Sequence, residues 1–129
     1  MLKIGLRGEK TLTVTEETTA RAVGSGALPV LATPVLAALM EGCAHESLLP
    51  YLEEGQGTVG TELHLEHLAP TPVGGKVRCE SVLTKEEGRL FIFSLEAWDE
   101  KGLIGRAVHS RCLIDETRFM QKALSRLPE

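Results

Sequence analysis

Residues 32–52 read ATPVLAALMEGCAHESLLPYL, and this stretch decides the fold. From Val35 to Ala44 every residue is apolar or glycine except Glu41. A helix that apolar lies inside something, most simply a sheet wrapped around it. Thr33 reads as its cap, because a hydroxyl oxygen accepts from the first free N–H groups. Pro34 suits the first helical position, where its missing N–H costs nothing. Spaced at helical angles, Val35, Leu36, Leu39, Met40 and Cys43 form one apolar stripe. Ala37, Glu41 and Ala44 point away from it, and Leu48 joins them a turn later. Glu41 therefore sits among small side chains, where another backbone or a thin ligand can approach. A partly desolvated carboxylate there suits proton transfer; a glutamate paired with an arginine is the plain alternative.

A chain of 129 residues is expected to form one domain over 1–129, with a core of its own. Apolar residues at 43% and charged residues at 25% are an ordinary globular mixture, far from a membrane span. The opening MLKIGLRGEK mixes charges too early for a signal peptide, so a cytoplasmic location is expected. A net charge of −4 argues against a nucleic-acid partner. Cys43, Cys79 and Cys112 are odd in number and form no CxxC pair, which reads as free thiols rather than a zinc site. His45, His64, His67 and His109 lack paired ligand spacing, so no metal is expected, and no glycine-rich phosphate loop follows a strand.

The rest of the chain is strand-like. Leu2 to Leu6 and Leu12 to Val14 alternate as parts of a first strand interrupted by Gly8. Thr15-Glu16-Glu17 starts a short helix that runs to about Val23. Gly24 to Leu31 is an irregular segment leading into the long helix, a lid or a pocket wall. Thr58 to Leu68 alternates, with Val59, Thr61, Leu63, Leu65 and His67 on one face; Gly60 is opposite unless a bulge changes the phase. Ala69 to Gly75 is a stiff turn. Lys76 to Lys85, Arg89 to Trp98 and Leu103 to Ile114 are three further strands, the middle one apolar on both faces and hence central. Asp115 caps a last helix at about 116–127, with Phe119, Met120, Ala123, Leu124 and Leu127 as its apolar stripe. Short turns imply antiparallel neighbours. The economical architecture is α+β: one curved antiparallel sheet wrapped around one long helix. Such a sheet covers only part of the helix, so at least a homodimer is expected, with a dimer of dimers left open.

Glu41 on the helix, His67 on the inward strand face and Thr33 at the helix start form a set suited to acyl transfer or hydrolysis. Each has a bland counterpart: a cap for Thr33, a satisfied strand-end imidazole for His67, relief of sheet strain for Gly60, a salt bridge for Arg111.

The stretches ATPVLAALMEGCA, VGTELHLEHLAPTPVG and FSLEAWDEKGLIGRAVHSR, in this spacing, resemble hot-dog-fold acyl-CoA thioesterases of the fluoroacetyl-CoA thioesterase-like group. The resemblance covers roughly Thr15 to Asp115. It implies thioester hydrolysis at a dimer-interface pocket. Thr33, Glu41 and His67 match the catalytic trio, Gly60 a glycine at the substrate thioester, and Arg111 an arginine lining the site. No cofactor is implied, coenzyme A being part of the substrate. Lys76, Arg78 and Arg106 are candidates for its phosphates. The fluoroacetyl-specific member carries phenylalanines ahead of the catalytic threonine, whereas Gly24 to Leu31 here has no aromatic residue, so a different acyl group is expected. The rival reading is an acyl-CoA-binding sensor module without catalysis, which would need neither the acid nor the imidazole.

Overall fold

The computed structural model describes residues 3–128. Its strands are β1 (Arg7–Thr13), β2 (Gln56–His67), β3 (Lys76–Glu87), β4 (Leu90–Asp99) and β5 (Gly102–Asp115). They form one antiparallel sheet in the order β1-β3-β4-β5-β2. A one-turn helix α1 (Ala20–Val23) precedes the long helix α2 (Thr33–Leu48), and α3 (Glu116–Leu124) closes the chain. The sheet curls around α2, as the apolar run required. Leu36, Leu39, Met40, Cys43, Ala44 and Leu48 of the helix are buried against Phe93, Leu95, Val77 and Leu83 of the sheet. β4 is the middle strand, in keeping with its two apolar faces.

Four local readings are corrected by the structure. Ala44 and Leu48 face the core rather than the open side, because the sheet wraps more of the helix than one stripe. The uncovered stripe runs through Pro34, Ala38, Glu41, Gly42 and His45 and is built of small residues around the acid. The helix ends at Leu48, and Leu49–Tyr51 form a separate 3-10 turn at Pro50. The first strand starts at Arg7 and contains Gly8 as a paired residue opposite Ser81; Leu2, in the predicted strand, lies outside the described residues.

The fourth correction concerns β2. It does not pair with β3, its successor in the chain; it lies at the far edge beside β5. The segment between them (residues 68–75) instead carries the chain back across the sheet. Thr71 anchors it, buried and donating to Asp99 Oδ2 at 2.8 Å, and its carbonyl accepts from the Leu31 N–H.

Gly8 lies where the helix presses close on the sheet. A Cβ built there would lie 2.7 Å from Ser81 Oγ, 2.8 Å from Ser47 Cβ and 3.0 Å from the Cys43 carbonyl oxygen. Two of these neighbours belong to the helix, so relief requires α2 to move. Gly8→Ala is therefore expected to cost about 1–3 kcal/mol of unfolding free energy, the usual range for overpacking. Urea unfolding measures it; an alanine variant as stable as the wild type would place the helix further from β1.

Candidate active site

Two clusters of polar side chains lie along α2 and β2. The first is at the helix start. Ala32, not Thr33, is the N-cap residue, and no side chain caps this end. Thr33 is thus spared the capping role read from the sequence. Its hydroxyl instead lies 2.8 Å from His67 Nδ1, at the end of β2. His67 Nε2 is buried and has no hydrogen-bond partner among the described residues. Leaving such a group unpaired costs about 1–3 kcal/mol, so it calls for a reason. Burial holds the His67 pKa below the ordinary imidazole value, with the Ala69 backbone opposing. The pair opens on a groove of about 350 Å³ whose other walls include Ala20, Val30, Leu31 and Pro70. A neutral imidazole here can accept or hand on a proton near neutral pH.

The second cluster surrounds Glu41. Arg111 Nη1 lies 3.9 Å from Glu41 Oε1, and the glutamate side chain is 44% exposed, less buried than the apolar run suggested. Gly60 faces this carboxylate. A Cβ on Gly60 would lie 2.9 Å from Glu41 Oε1 and 3.1 Å from His109 Cε1. Gly60 reaches the inner face because β2 bulges just after it: Gly60 pairs with Arg111 and Glu62 with Ser110, leaving Thr61 as the extra residue. Thr61 is exposed, and its hydroxyl donates to the Ser110 carbonyl at 3.2 Å. The bulge reverses the phase of the strand before it. Thr58 and Gly60 point inward where Val59 and Thr61 were expected; Leu63, Leu65 and His67 keep their predicted face.

Arg111, His109 and Ala107, at alternate positions, share the inner face of β5 and are buried there. His109 and Thr58 were not read as site residues, yet both hold Arg111. Burial lowers the Arg111 pKa while Glu41 raises it. His64 is exposed beside Glu62, on the outer face. The three candidate phosphate ligands do not line either cluster. Arg106 is paired with Glu66 at 2.8 Å; Arg78 pairs with Glu80 and stacks on Trp98, 4.6 Å from the ring centroid; Lys76 starts β3, on the side of β1.

Within one chain the clusters stay apart. Thr33 and Glu41 are eight residues apart on α2, which is about 12 Å along the axis.

The known proteins that this chain resembles fall into one pattern. The family model for fluoroacetyl-CoA-specific thioesterase matches residues 14–117. A fluoroacetyl-CoA thioesterase of Streptantibioticus cattleyicolor is 34% identical over 99 residues, covering 77% of this chain and 71% of that protein. A solved structure of a fluoroacetyl-CoA thioesterase superposes with a TM-score of 0.94 at 30% identity, covering 99% of each chain. A Thermus thermophilus protein of the thioesterase superfamily superposes at 0.87 with 30% identity, over 98% of this chain and 92% of its own. A hot-dog-like protein from Thermanaerovibrio acidaminovorans, 20% identical, gives 0.90 over 99% and 95%. The fold is the hot-dog fold, as the sequence resemblance implied.

His45, His67 and His109 all have pKa values lowered chiefly by burial. The unfolded chain therefore binds protons first as the pH falls. Stability from these groups is complete above the unfolded imidazole value of about 6.5 and is lost as the pH drops through it toward the lower folded values. The urea midpoint is expected to fall from about pH 7.5 to about pH 5.5, and to fall less in His67→Ala. A midpoint flat across that window would mean that these imidazoles are not held neutral.

Proposed function

This chain belongs to the fluoroacetyl-CoA-specific thioesterase family, and on that premise we propose that it hydrolyses an acyl-CoA thioester at a site shared between two copies. The observation that carries the shared site is the separation of the clusters. Groups acting on one thioester must lie within a few ångströms of it, and about 12 Å of helix divides Thr33 from Glu41. β2 is an edge strand of twelve residues with His67 at one end and Gly60 near the other third. Its outer edge carries unpaired N–H and C=O groups, a template for another strand. Antiparallel pairing of two such edges about a two-fold axis brings the His67 end of one protomer opposite the Gly60 region of its partner. Thr33 and His67 of one copy then face Glu41, Gly60 and Arg111 of the other.

In this reading the thioester lies against Gly60, where no side chain obstructs it. Glu41 either takes a proton from a water that attacks the acyl carbon, or attacks it with its own oxygen to give a mixed anhydride that a water then opens to free acid and Glu41. In both routes the carbon–sulfur bond breaks as the tetrahedral adduct collapses. His67, oriented by Thr33, relays a proton to the departing thiolate of coenzyme A and is restored by the proton that the attacking water releases. Arg111 balances the charge of Glu41 and of the oxyanion. No cofactor takes part. The acyl group lies in the groove walled by Ala20, Val30, Leu31 and Pro70. That wall is aliphatic, which fits a small or medium alkyl acyl chain better than a fluorinated two-carbon unit.

Release of free thiol from a panel of acyl-CoAs tests the activity. Glu41→Gln is expected to abolish it, and His67→Ala to slow it by roughly 10²–10⁴-fold. Tight acyl-CoA binding without release by the wild type would make the protein a sensor instead. Mixing the two inactive variants tests the shared site. Subunit exchange puts an intact Glu41 beside an intact His67 in a mixed dimer, so activity is expected to return. If the two groups act from the same chain, mixing restores nothing.

A further inference from the structure

Arg111 is held by three hydrogen-bonding atoms in a fixed arrangement, and their directions can be read. His109 Nδ1 lies 2.7 Å from the Glu62 carbonyl oxygen. A carbonyl only accepts, so Nδ1 carries the proton. His109 Nε2, 3.1 Å from Arg111 Nη1, is then the lone-pair side and accepts from the guanidinium. On the other flank Arg111 Nε donates to Thr58 Oγ1 at 2.9 Å, and Nη2 donates to the Thr58 carbonyl at 2.9 Å. The Thr58 hydroxyl also lies 3.2 Å from His45 Nδ1. His109 is 1% exposed, Arg111 6% and Thr58 7%.

These contacts consume three of the five guanidinium N–H bonds. The remaining two lie on Nη1 and Nη2, and Nη1 is the atom 3.9 Å from Glu41 Oε1. The guanidinium thus keeps an unspent donor on the atom nearest the carboxylate. The His109 ring also lies under the space next to Gly60, its Cε1 3.1 Å from where a Cβ would stand. Phe93 backs the ring, with centroids 6.5 Å apart. The Glu62 carbonyl that orients His109 belongs to the residue that resumes the ladder after the β2 bulge. The bulge therefore does two things: it turns Gly60 inward and it aims the acceptor that fixes the tautomer of His109.

We propose that His109 and Thr58 are positioning residues that aim the Arg111 guanidinium at Glu41. They act through Arg111, to which their polar atoms are bonded. This rests on the thioesterase reading, and it assigns to that site two residues that the sequence did not suggest. A guanidinium free to turn would instead satisfy itself on other carbonyls and leave the carboxylate without its cation. Misplacement of that order costs about 10²-fold in rate.

The test compares His109→Leu, His109→Gln, Thr58→Val and Thr58→Ser with the wild type, measuring kcat, KM for acyl-CoA and the unfolding temperature. Leucine removes the acceptor; glutamine puts an amide oxygen near the position of Nε2 and restores it. His109→Leu is expected to lose about 10²-fold in kcat with KM nearly unchanged, and His109→Gln to recover most of that loss. Thr58→Val is expected to lose kcat in the same way and Thr58→Ser to keep it, which carries the test should the leucine variant not fold. A folded His109→Leu or Thr58→Val whose unfolding temperature falls while kcat stays within a few-fold would make these residues supports for a buried charge only, and would overturn the proposal. Wild-type protein that releases no thiol from any acyl-CoA would overturn the thioesterase reading itself, a distinct result.

Discussion

The structure depends on how closely one helix can press into one sheet. α2 meets the sheet at two glycines on either side of its axis. At Gly8 of β1 a side chain would strike Ser47 and the Cys43 carbonyl; at Gly105 of β5 it would lie 3.0 Å from Leu36 Cδ2 and 3.1 Å from the Glu66 carbonyl. Close contact at both flanks buries most of the helix circumference. What stays uncovered is the narrow row from Pro34 to His45, and Glu41 lies on it. The position of the acid thus follows from packing: the face that the sheet cannot cover is the face on which a carboxylate is tolerated.

A second constraint is the buried guanidinium. Removing a charge of this kind from water costs several kcal/mol, recovered only through well-directed partners. Arg111 obtains them from Thr58, the Thr58 backbone and His109 rather than from its nearest carboxylate, which stands off at 3.9 Å. A direct bidentate pair would have spent the Glu41 oxygens on arginine. Neutral acceptors leave those oxygens available while the cation remains within electrostatic reach. An arginine satisfied by neutral groups beside a half-exposed acid leaves the acid's oxygens open to solvent or ligand, which a closed ion pair would not.

The sequence revealed those features that rest on periodicity. The apolar run announced α2, the two-sided apolar pattern of Leu90 to Phe93 placed β4 in the middle, and Asp115 capped α3 as read, accepting from the Arg118 N–H at 3.0 Å. What it concealed depends on contacts between distant residues. Thr33 follows a helix-start pattern, and only the fold shows that its hydroxyl is taken by His67. The inward turn of Thr58 and Gly60 comes from an extra residue at Thr61, which no alternation can display until the β5 register is known. His109 looked like one member of a strand face; its role appears only when the Glu62 carbonyl and Arg111 are seen on its two nitrogens. The separate placement of β2 and β3 was hidden for a similar reason, since a short connection usually joins neighbours and here it crosses the sheet.

An exposed edge strand is ordinarily a hazard, blunted by charge, proline or brevity. β2 is neither short nor interrupted by proline: it spans Gln56–His67, its charges Glu62 and Glu66 sit on one face, and its bulge re-aims a residue inward without ending the ladder. The same strand carries both halves of the candidate site. One device explains both facts. If a second copy pairs with this edge, the hazard is removed, since the sheet continues from one protomer into the other. The same pairing, as proposed above, would carry His67 across to a glycine that leaves room for a thioester. On that proposal the bulge serves the site within the paired strand, because it opens the backbone inward while the ladder to β5 continues. A regular strand would fill the space beside Glu41 with the side chain of Val59 or Thr61, and the room that the proposed site needs would be gone.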